Sequence, residues 1–198
     1  MKKITTVYFI RHAQSDRSVR DGRIRPLTDK GRNDCVMVTE YLSDKNIDIV
    51  FSSPFKRAVD TIADFAAKNN LKINIIEDFR EQSSSSDMPS DSKHFYQYFK
   101  KQWADFNYTL SDGESLAEVQ KRNVKALQEL LINYKDKNIA VGTHATALSV
   151  IINYYDGVYG FADFKAMEYK LPWIVKMSFN GNNFVGIEKI DLFTQCAE

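Results

Sequence analysis

The sequence has few cysteines and few histidines, and its positive and negative charges nearly cancel. Two cysteines, Cys35 and Cys196, lie far apart among 198 residues, which indicates neither a disulfide framework nor a metal-ligand motif. The formal net charge at pH 7 is +1, so the chain has no general attraction for nucleic acid or for an anionic membrane. A binding site for an anion would therefore have to be built locally. With only three histidines, each one is a candidate for a specific role.

Long apolar runs are also missing. No stretch reaches the ~20 apolar residues that a membrane-spanning helix needs. The residues Met1-Lys2-Lys3 precede an apolar run, but Arg11 and His12 interrupt it, and no small-residue cleavage site of a signal peptide follows. We therefore expect a cytoplasmic protein that binds neither nucleic acid nor a membrane. The oligomeric state stays open, with a homodimer among the options.

A chain of this length is typical of one domain with a substantial core, and we expect residues 1–198 to form a single domain. Within it, about residues 82–110 are expected to form a flexible insert followed by a helix. The insert begins with a serine-rich run that is too polar to bury. The helix carries an aromatic stripe, which is typical of core packing, although a helix on a flexible loop can also act as a lid. The stripe comprises Phe95, Tyr98, Phe99, Gln102, Trp103 and Phe106.

Apolar runs alternate with segments of helical periodicity, and this alternation predicts the fold class. It is typical of a three-layer α/β/α sandwich with a mostly parallel central sheet. The pair Asn180-Gly181 between the last two strands predicts a tight hairpin, which would give an antiparallel edge strand. The predicted strands are Ile4–Ile10, Ile47–Phe51, Leu71–Ile76, Asn138–Gly142, Trp173–Phe179 and Asn183–Ile190.

The longest helical pattern follows Ser111-Asp112-Gly113-Glu114. Ser111 with Glu114 three residues later matches a capping box, in which the two side chains bond each other's backbone N–H groups. We therefore expect the helix to open at Ser111 and Glu114 to have a structural role.

Chemically versatile side chains follow four of the predicted strands. Arg11 and His12 follow the first strand, Arg57 the second, Glu81 the third and His144 the fourth. Because the carboxyl ends of parallel strands meet at one edge of a sheet, we expect these five side chains to reach one crevice.

Two histidines, two arginines and one carboxylate make a poor metal site and a good site for an oxyanion. Guanidinium groups match the oxygens of a phosphoryl group, and an unprotonated imidazole can attack phosphorus. The second imidazole can donate a proton, and Glu81 can act as general acid and then general base. From these residues alone, phosphoryl transfer competes with another hydrolase activity or a binding site of unknown kind.

The stretch Arg11-His12-Ala13-Gln14-Ser15 resembles the Arg-His-Gly-Glu-Thr signature of the histidine phosphatase superfamily, also called the phosphoglycerate mutase-like family. Further blocks stand in the family's order. The resemblance implies a three-layer α/β fold, a phosphohistidine on His12, a phosphate pocket of Arg11, Arg57 and His144, and Glu81 as the acid. The further blocks are Pro26-Leu27-Thr28 with Gly31, Ser52-Ser53-Pro54 with Arg57-Ala58 and Thr61, Asp112-Gly113-Glu114-Ser115, and Gly142-Thr143-His144.

The chain also departs from the family pattern. Ala13 and Ala145 stand where glycine is usual, and both are small. Ser18 replaces an asparagine that contributes to the family's phosphate pocket, so Ser18 is the expected phosphate-binding residue at that position. The serine run replaces the family's segment after Glu81, which leaves Glu77 and Asp78 as rivals for the acid.

The leading hypothesis is a phosphomonoesterase that acts on a small phosphorylated substrate without a metal or an organic cofactor. A phosphoglycerate mutase that requires a 2,3-bisphosphoglycerate primer would use the same pocket and is the first alternative. A non-catalytic phosphate-binding or docking module, with the aromatic helix as its interface, is the second. Four arginines between the first strand and the first helix suggest an acidic or multiply phosphorylated substrate. They are Arg17, Arg20, Arg23 and Arg25.

Overall fold

The structure is a computed structural model that describes residues 4–88 and 91–194. Its described strands form one sheet in the order β3-β2-β4-β1-β5-β6. The strands are β1 Thr5–Arg11, β2 Ile49–Ser52, β3 Ile73–Ile75, β4 Asn138–Thr143, β5 Trp173–Asn180 and β6 Asn183–Ile190. The helices are α1 Asp29–Leu42, α2 Lys56–Lys68, α3 Ser92–Ala104, α4 Leu116–Asn133, α5 Ala145–Tyr155 and α6 Phe161–Ala166.

The sheet has a parallel part and an antiparallel hairpin. Strands β3, β2, β4 and β1 are parallel to their neighbours, whereas β5 is antiparallel to β1 and β6 to β5. The hairpin turns at Gly181, whose φ of +60° lies in the left-handed region that glycine adopts without strain. The predicted fold class is therefore confirmed.

Side chains of β1 alternate between two cores. Val7 and Phe9 pack in one core with residues of α4 and α5, while Tyr8 and Ile10 pack in the other with residues of α1 and α2. Both faces of the strand are therefore covered, which explains why its sequence is a continuous apolar run. The two helical layers and the sheet between them form the three-layer sandwich.

The predicted start of the longest helix is wrong. Helix α4 begins at Leu116, and its capping box is formed by Ser115 and Glu118. The sequence offers two consecutive capping-box patterns, and the second one buries Leu116 completely. Glu114 is left free for a different structural role, which lies beside the candidate site.

The serine-rich run was expected to be too polar to bury, and this is wrong for Ser85. Its side chain is buried, and its hydroxyl donates a hydrogen bond to Oδ1 of Asp112 over 2.9 Å. The N–H of Ser86 donates to the same oxygen over 2.8 Å. A hydrogen-bonded serine can be buried because its polar group is satisfied. The flexibility of the insert stays a prediction.

Two further findings concern the helices. Helix α6 was not predicted from the sequence, because six residues are too few to show a helical period. Within the described ranges, no helix has both the length and the apolar character needed to cross a bilayer.

The expectations about Met1-Lys2-Lys3 and Cys196 concern positions outside the described residues.

Gly142 on β4 allows α2 to approach the sheet. A Cβ atom there would lie 2.7 Å from Oγ of Ser52 and 2.9 Å from the carbonyl oxygen of Ala58. We predict that Gly142→Ala lowers the free energy of unfolding by about 1–3 kcal/mol, as expected for overpacking. Urea unfolding measures the effect. Gly186→Ala on β6 is the matched control, because its added Cβ meets no atom of the described residues within 4 Å. Equal stabilities of the two variants would contradict this account.

Candidate active site

Two histidines lie side by side at the carboxyl end of the parallel strands. The β1–β4 register places Arg11 opposite Thr143, and the N–H of His12 extends the pairing by donating to the carbonyl of Thr143 over 3.1 Å. The ring centroids of His12 and His144 are consequently only 5.3 Å apart, with their planes at 60°. Residues 132 positions apart in the sequence thus meet at one point.

His12 has one nitrogen fixed as a donor. Its Nδ1 lies 2.7 Å from the carbonyl oxygen of Ala13, and a carbonyl can only accept, so Nδ1 carries the proton. Burial lowers the pKa of His12 well below its usual range, and the positive charges of Arg57 and Arg11 lower it further. The ring is therefore neutral at pH 7, and its Nε2 carries a free lone pair.

His144 is completely buried, and only one of its two ring nitrogens has a hydrogen-bond partner among the described residues. Its Nε2 lies 2.7 Å from Oγ of Ser53, which also accepts a hydrogen bond from the N–H of Phe55. Its Nδ1 has no partner among the described residues, in whichever tautomer the ring is drawn. Burial and the charge of Arg57 lower the pKa of His144 well below its usual range. An unsatisfied buried polar atom beside His12 indicates a place for a ligand.

Arg11 and Arg57 are both buried, and burial lowers the pKa of each guanidinium to about 10. Both groups therefore stay charged at pH 7. Nη1 of Arg57 donates to the carbonyl of Gly22 over 2.6 Å. Arg11 donates to the carbonyl groups of Met167 and Lys170, while its Nε has no partner in the described part of the chain. Buried cations held by neutral carbonyls form a site for an anion.

Glu81 brings a carboxylate to the same cavity. Its oxygens accept hydrogen bonds from the N–H groups of Thr146 over 3.1 Å and Ala147 over 3.2 Å, in the first turn of α5. Its two rivals lie elsewhere. Glu77 is exposed and pairs with Arg23, and Asp78 does not line the cavity. Of the three acidic side chains, the structure brings only Glu81 to the histidines.

Ser18 does not reach the cavity. Its exposed hydroxyl and its backbone N–H both donate to Oδ1 of Asp16, over 2.7 Å and 2.9 Å, which turns the side chain back onto its own loop. The structure therefore does not bring Ser18 to the cavity, and its predicted phosphate contact stays a prediction. Gln14, Ser15 and Asp16 of this loop do line the cavity.

The cavity has a volume of about 870 Å³, within the usual range for ligand sites. Four of the five side chains predicted to converge line it directly: Arg11, His12, Arg57 and Glu81. His144 lies behind it, in ring contact with His12. Sequence reasoning missed the part contributed by α6 and the turn after it, since that helix was not predicted. No group of three or more metal-ligating side chains occurs among the residues described.

Arg122 of α4 holds the segment that carries Glu81. Its guanidinium donates to the carbonyl groups of Asp78, Arg80 and Glu81. It also makes two hydrogen bonds to the carboxylate of Glu114, of 2.9 Å and 3.0 Å. Glu114 additionally accepts from Arg80 and from the N–H of Ser83. Glu114 thus fixes the guanidinium that positions the Glu81 segment.

A sequence model described as the histidine phosphatase superfamily (branch 1) matches residues 7–187. This chain belongs to the histidine phosphatase superfamily. The resemblance stated from the sequence is therefore confirmed. The matched residues begin within β1 and end within β6, so they include at least part of every described strand.

Two curated relatives are 25% and 30% identical to this chain over the aligned residues. Phosphoserine phosphatase 1 of Hydrogenobacter thermophilus is 25% identical over 149 residues, which cover 70% of each chain. A protein of Aspergillus oryzae named translationally-controlled tumor protein homolog is 30% identical over 139 residues, covering 66% of this chain and 77% of that one. That second name states no enzymatic activity.

The fold is shared with solved structures. A mycobacterial glucosyl-3-phosphoglycerate phosphatase superposes with a TM-score of 0.74 at 16% identity, over 95% of this chain and 99% of that one. At this identity the likeness concerns the fold alone.

The ion pairs of Glu114 lead to a prediction about stability and pH. Burial raises the pKa of Glu114, but hydrogen bonds from Arg122 and Ser83 and the charge of Arg80 outweigh it and lower the pKa below its usual value. We predict that Glu114→Gln lowers the free energy of unfolding by about 2–4 kcal/mol at pH 7. Because the pKa is lowered on folding, this stabilisation is complete above the pKa of about 4.5 of the unfolded chain and is lost as the pH falls through the folded value.

Denaturant unfolding of both proteins between pH 3 and pH 7 measures the difference. Glu129→Gln on the same helix is the control and should change stability by less than about 0.5 kcal/mol, since the one described ion-pair partner of Glu129 is exposed Lys125, at 3.8 Å. A Glu114→Gln deficit that does not depend on pH would contradict the role of the charged carboxylate.

Proposed function

We propose that this chain is a phosphomonoesterase that hydrolyses small phosphorylated substrates through a phosphohistidine on His12. One observation carries the proposal: a neutral His12 with its Nε2 free, beside two buried arginines that have no carboxylate partner within ion-pair distance among the described residues. Membership of the superfamily and a relative named as a phosphatase support phosphatase activity.

In the first step, Nε2 of His12 attacks phosphorus in line with the departing oxygen. The N–P bond forms while the P–O bond to the alcohol breaks. Arg11 and Arg57 donate to the remaining phosphoryl oxygens, where negative charge is spread during transfer. In the tautomer with the proton on Nδ1, in which Nε2 accepts from the Ser53 hydroxyl, His144 would donate a further hydrogen bond to the phosphoryl group.

Glu81 transfers the protons in both steps of the reaction. As a general acid it protonates the departing alkoxide, and the alcohol leaves. The resulting carboxylate then removes a proton from water, whose oxygen attacks phosphorus and breaks the N–P bond. Inorganic phosphate is released, and both His12 and Glu81 return to their starting states. These steps need no metal and no organic cofactor.

Ser18 has no part in this scheme, because its hydroxyl bonds Asp16. A mutase would share the first step and transfer the phosphoryl group to a second substrate molecule rather than to water. A non-catalytic module would use the same anion site. No feature of the described residues favours either alternative.

We predict that His12→Ala lowers kcat/KM by about 10³-fold or more, because the nucleophile is lost. The enzyme is incubated with phosphoserine or p-nitrophenyl phosphate, quenched in alkali and digested. Mass spectrometry should locate an acid-labile phosphate on His12. His94→Ala is the matched control, since His94 lies exposed on α3 and, among the described residues, bonds only Asp91. Undiminished phosphate release by His12→Ala would refute the proposal, as would the absence of a phosphohistidine in an active wild-type enzyme.

A further inference from the structure

One side of the cavity is lined by aromatic rings that the proposed reaction does not use. They come from α3, from α6 and from the turn that follows α6. The rings contact one another, since Phe99 lies 4.9 Å from Phe95 and 5.2 Å from Phe164 between ring centroids. We call these residues the aromatic wall; they are Phe95, Tyr96, Phe99, Phe164 and Tyr169.

The wall is partly open to solvent. Phe99 is buried and belongs to the packing of α3, but Phe95 is 37% exposed and Tyr169 is 84% exposed. Single exposed aromatic residues are common on protein surfaces and need no explanation. Here the exposed rings gather around one cavity that also contains the proposed phosphoryl site, and such a cavity is the usual place for a ligand.

The wall is joined directly to the phosphoryl site through Arg11. The guanidinium donates hydrogen bonds to the carbonyl groups of Met167 and Lys170, which flank Tyr169 in the turn after α6. Arg11 is also adjacent to His12 in the chain, and both side chains line the cavity. A substrate phosphoryl group held at Arg11 would therefore share one cavity with the wall. The cavity of about 870 Å³ is far larger than a phosphoryl group requires.

Charges at the wall fit an anion that carries a ring. Lys165 Nζ lies 5.1 Å from the centre of the Tyr96 ring, and the hydroxyl of Tyr96 donates to the carboxylate of Glu168. Arg17 also lines the cavity and forms no ion pair with any described residue. The wall thus combines apolar ring surface with two cations, Lys165 and Arg17, and one carboxylate, Glu168.

We propose that the preferred substrates are phosphate monoesters whose alcohol carries a planar aromatic or heteroaromatic ring, which packs on the aromatic wall. This inference rests on the proposed function and adds the substrate class. Covering exposed aromatic surface with another ring removes apolar area from water and adds the favourable geometry of ring pairs. A small polar alcohol such as serine would leave the wall solvated. Stacking of one ring on aromatic side chains typically improves binding on the order of tenfold.

The test compares adenosine 5′-monophosphate with methyl ribofuranoside 5-phosphate. Both compounds are phosphate monoesters of the 5-hydroxyl group of a ribose, and both carry the same charge. They differ in the group attached to the anomeric carbon, which is adenine in one and methoxy in the other. We expect kcat/KM of the wild-type enzyme and Kd of the His12→Ala chain to favour the nucleotide by about tenfold or more. A preference below about threefold in Kd would overturn the inference, because stacking would then be absent. If neither ester releases phosphate but the nucleotide still binds more tightly, the proposed function fails while the aromatic-wall site stands.

Substitutions in the wall locate the effect. Phe95→Leu and Tyr169→Leu should each reduce the preference for the nucleotide severalfold and leave kcat/KM for the ring-free ester within about twofold. Phe193→Leu is the matched control, because Phe193 is 42% exposed and does not line the cavity. An unchanged preference in both wall variants would overturn the inference, and so would an equal loss for the two esters.

Discussion

The arrangement of the site depends on the register between β1 and β4. These neighbouring parallel strands end at the same level, with Arg11 opposite Thr143, so the residues that follow them emerge side by side. The hydrogen bond from His12 N–H to the Thr143 carbonyl extends the ladder one residue further. A register shift of one residue would send the histidines to opposite faces of the sheet. The two apolar cores that cover β1 make such a shift costly, because the side chains that pack in one core would be moved to the other face of the sheet.

Buried positive charge is the second element of the site. Arg11 and Arg57 are held by backbone carbonyls rather than by carboxylates, so their charge is left for a ligand. The same two charges help to keep both imidazoles neutral, since they disfavour protonation of His12 and His144. In the proposed reaction, one arrangement of charge would therefore serve both anion binding and the nucleophile.

The sequence predicted most of what the backbone pattern controls. Buried strands are continuous apolar runs, so the sheet and the five candidate residues at the ends of its parallel strands were identified from composition and order. The sequence could not distinguish the capping box of Ser111 and Glu114 from that of Ser115 and Glu118. Both patterns satisfy the same local hydrogen bonds, and only the burial of Leu116 separates them. The sequence also could not tell which of Glu77, Asp78 and Glu81 lies at the cavity. The position of Glu81 depends on hydrogen bonds with α5, which is distant in sequence. The part of the aromatic wall that α6 contributes could not be predicted from the sequence, because a helix of six residues is too short to show a helical period.

The central claim is that His12, His144, Arg11 and Arg57 surround a single tetrahedral anion. A crystal structure of the protein with orthovanadate tests it most directly, because vanadate mimics the transferring phosphoryl group. The account predicts vanadium bonded to Nε2 of His12, with its oxygens within hydrogen-bond distance of both guanidinium groups and of His144 Nδ1. Vanadate bound elsewhere, or held in the cavity without contact to His12, would contradict it.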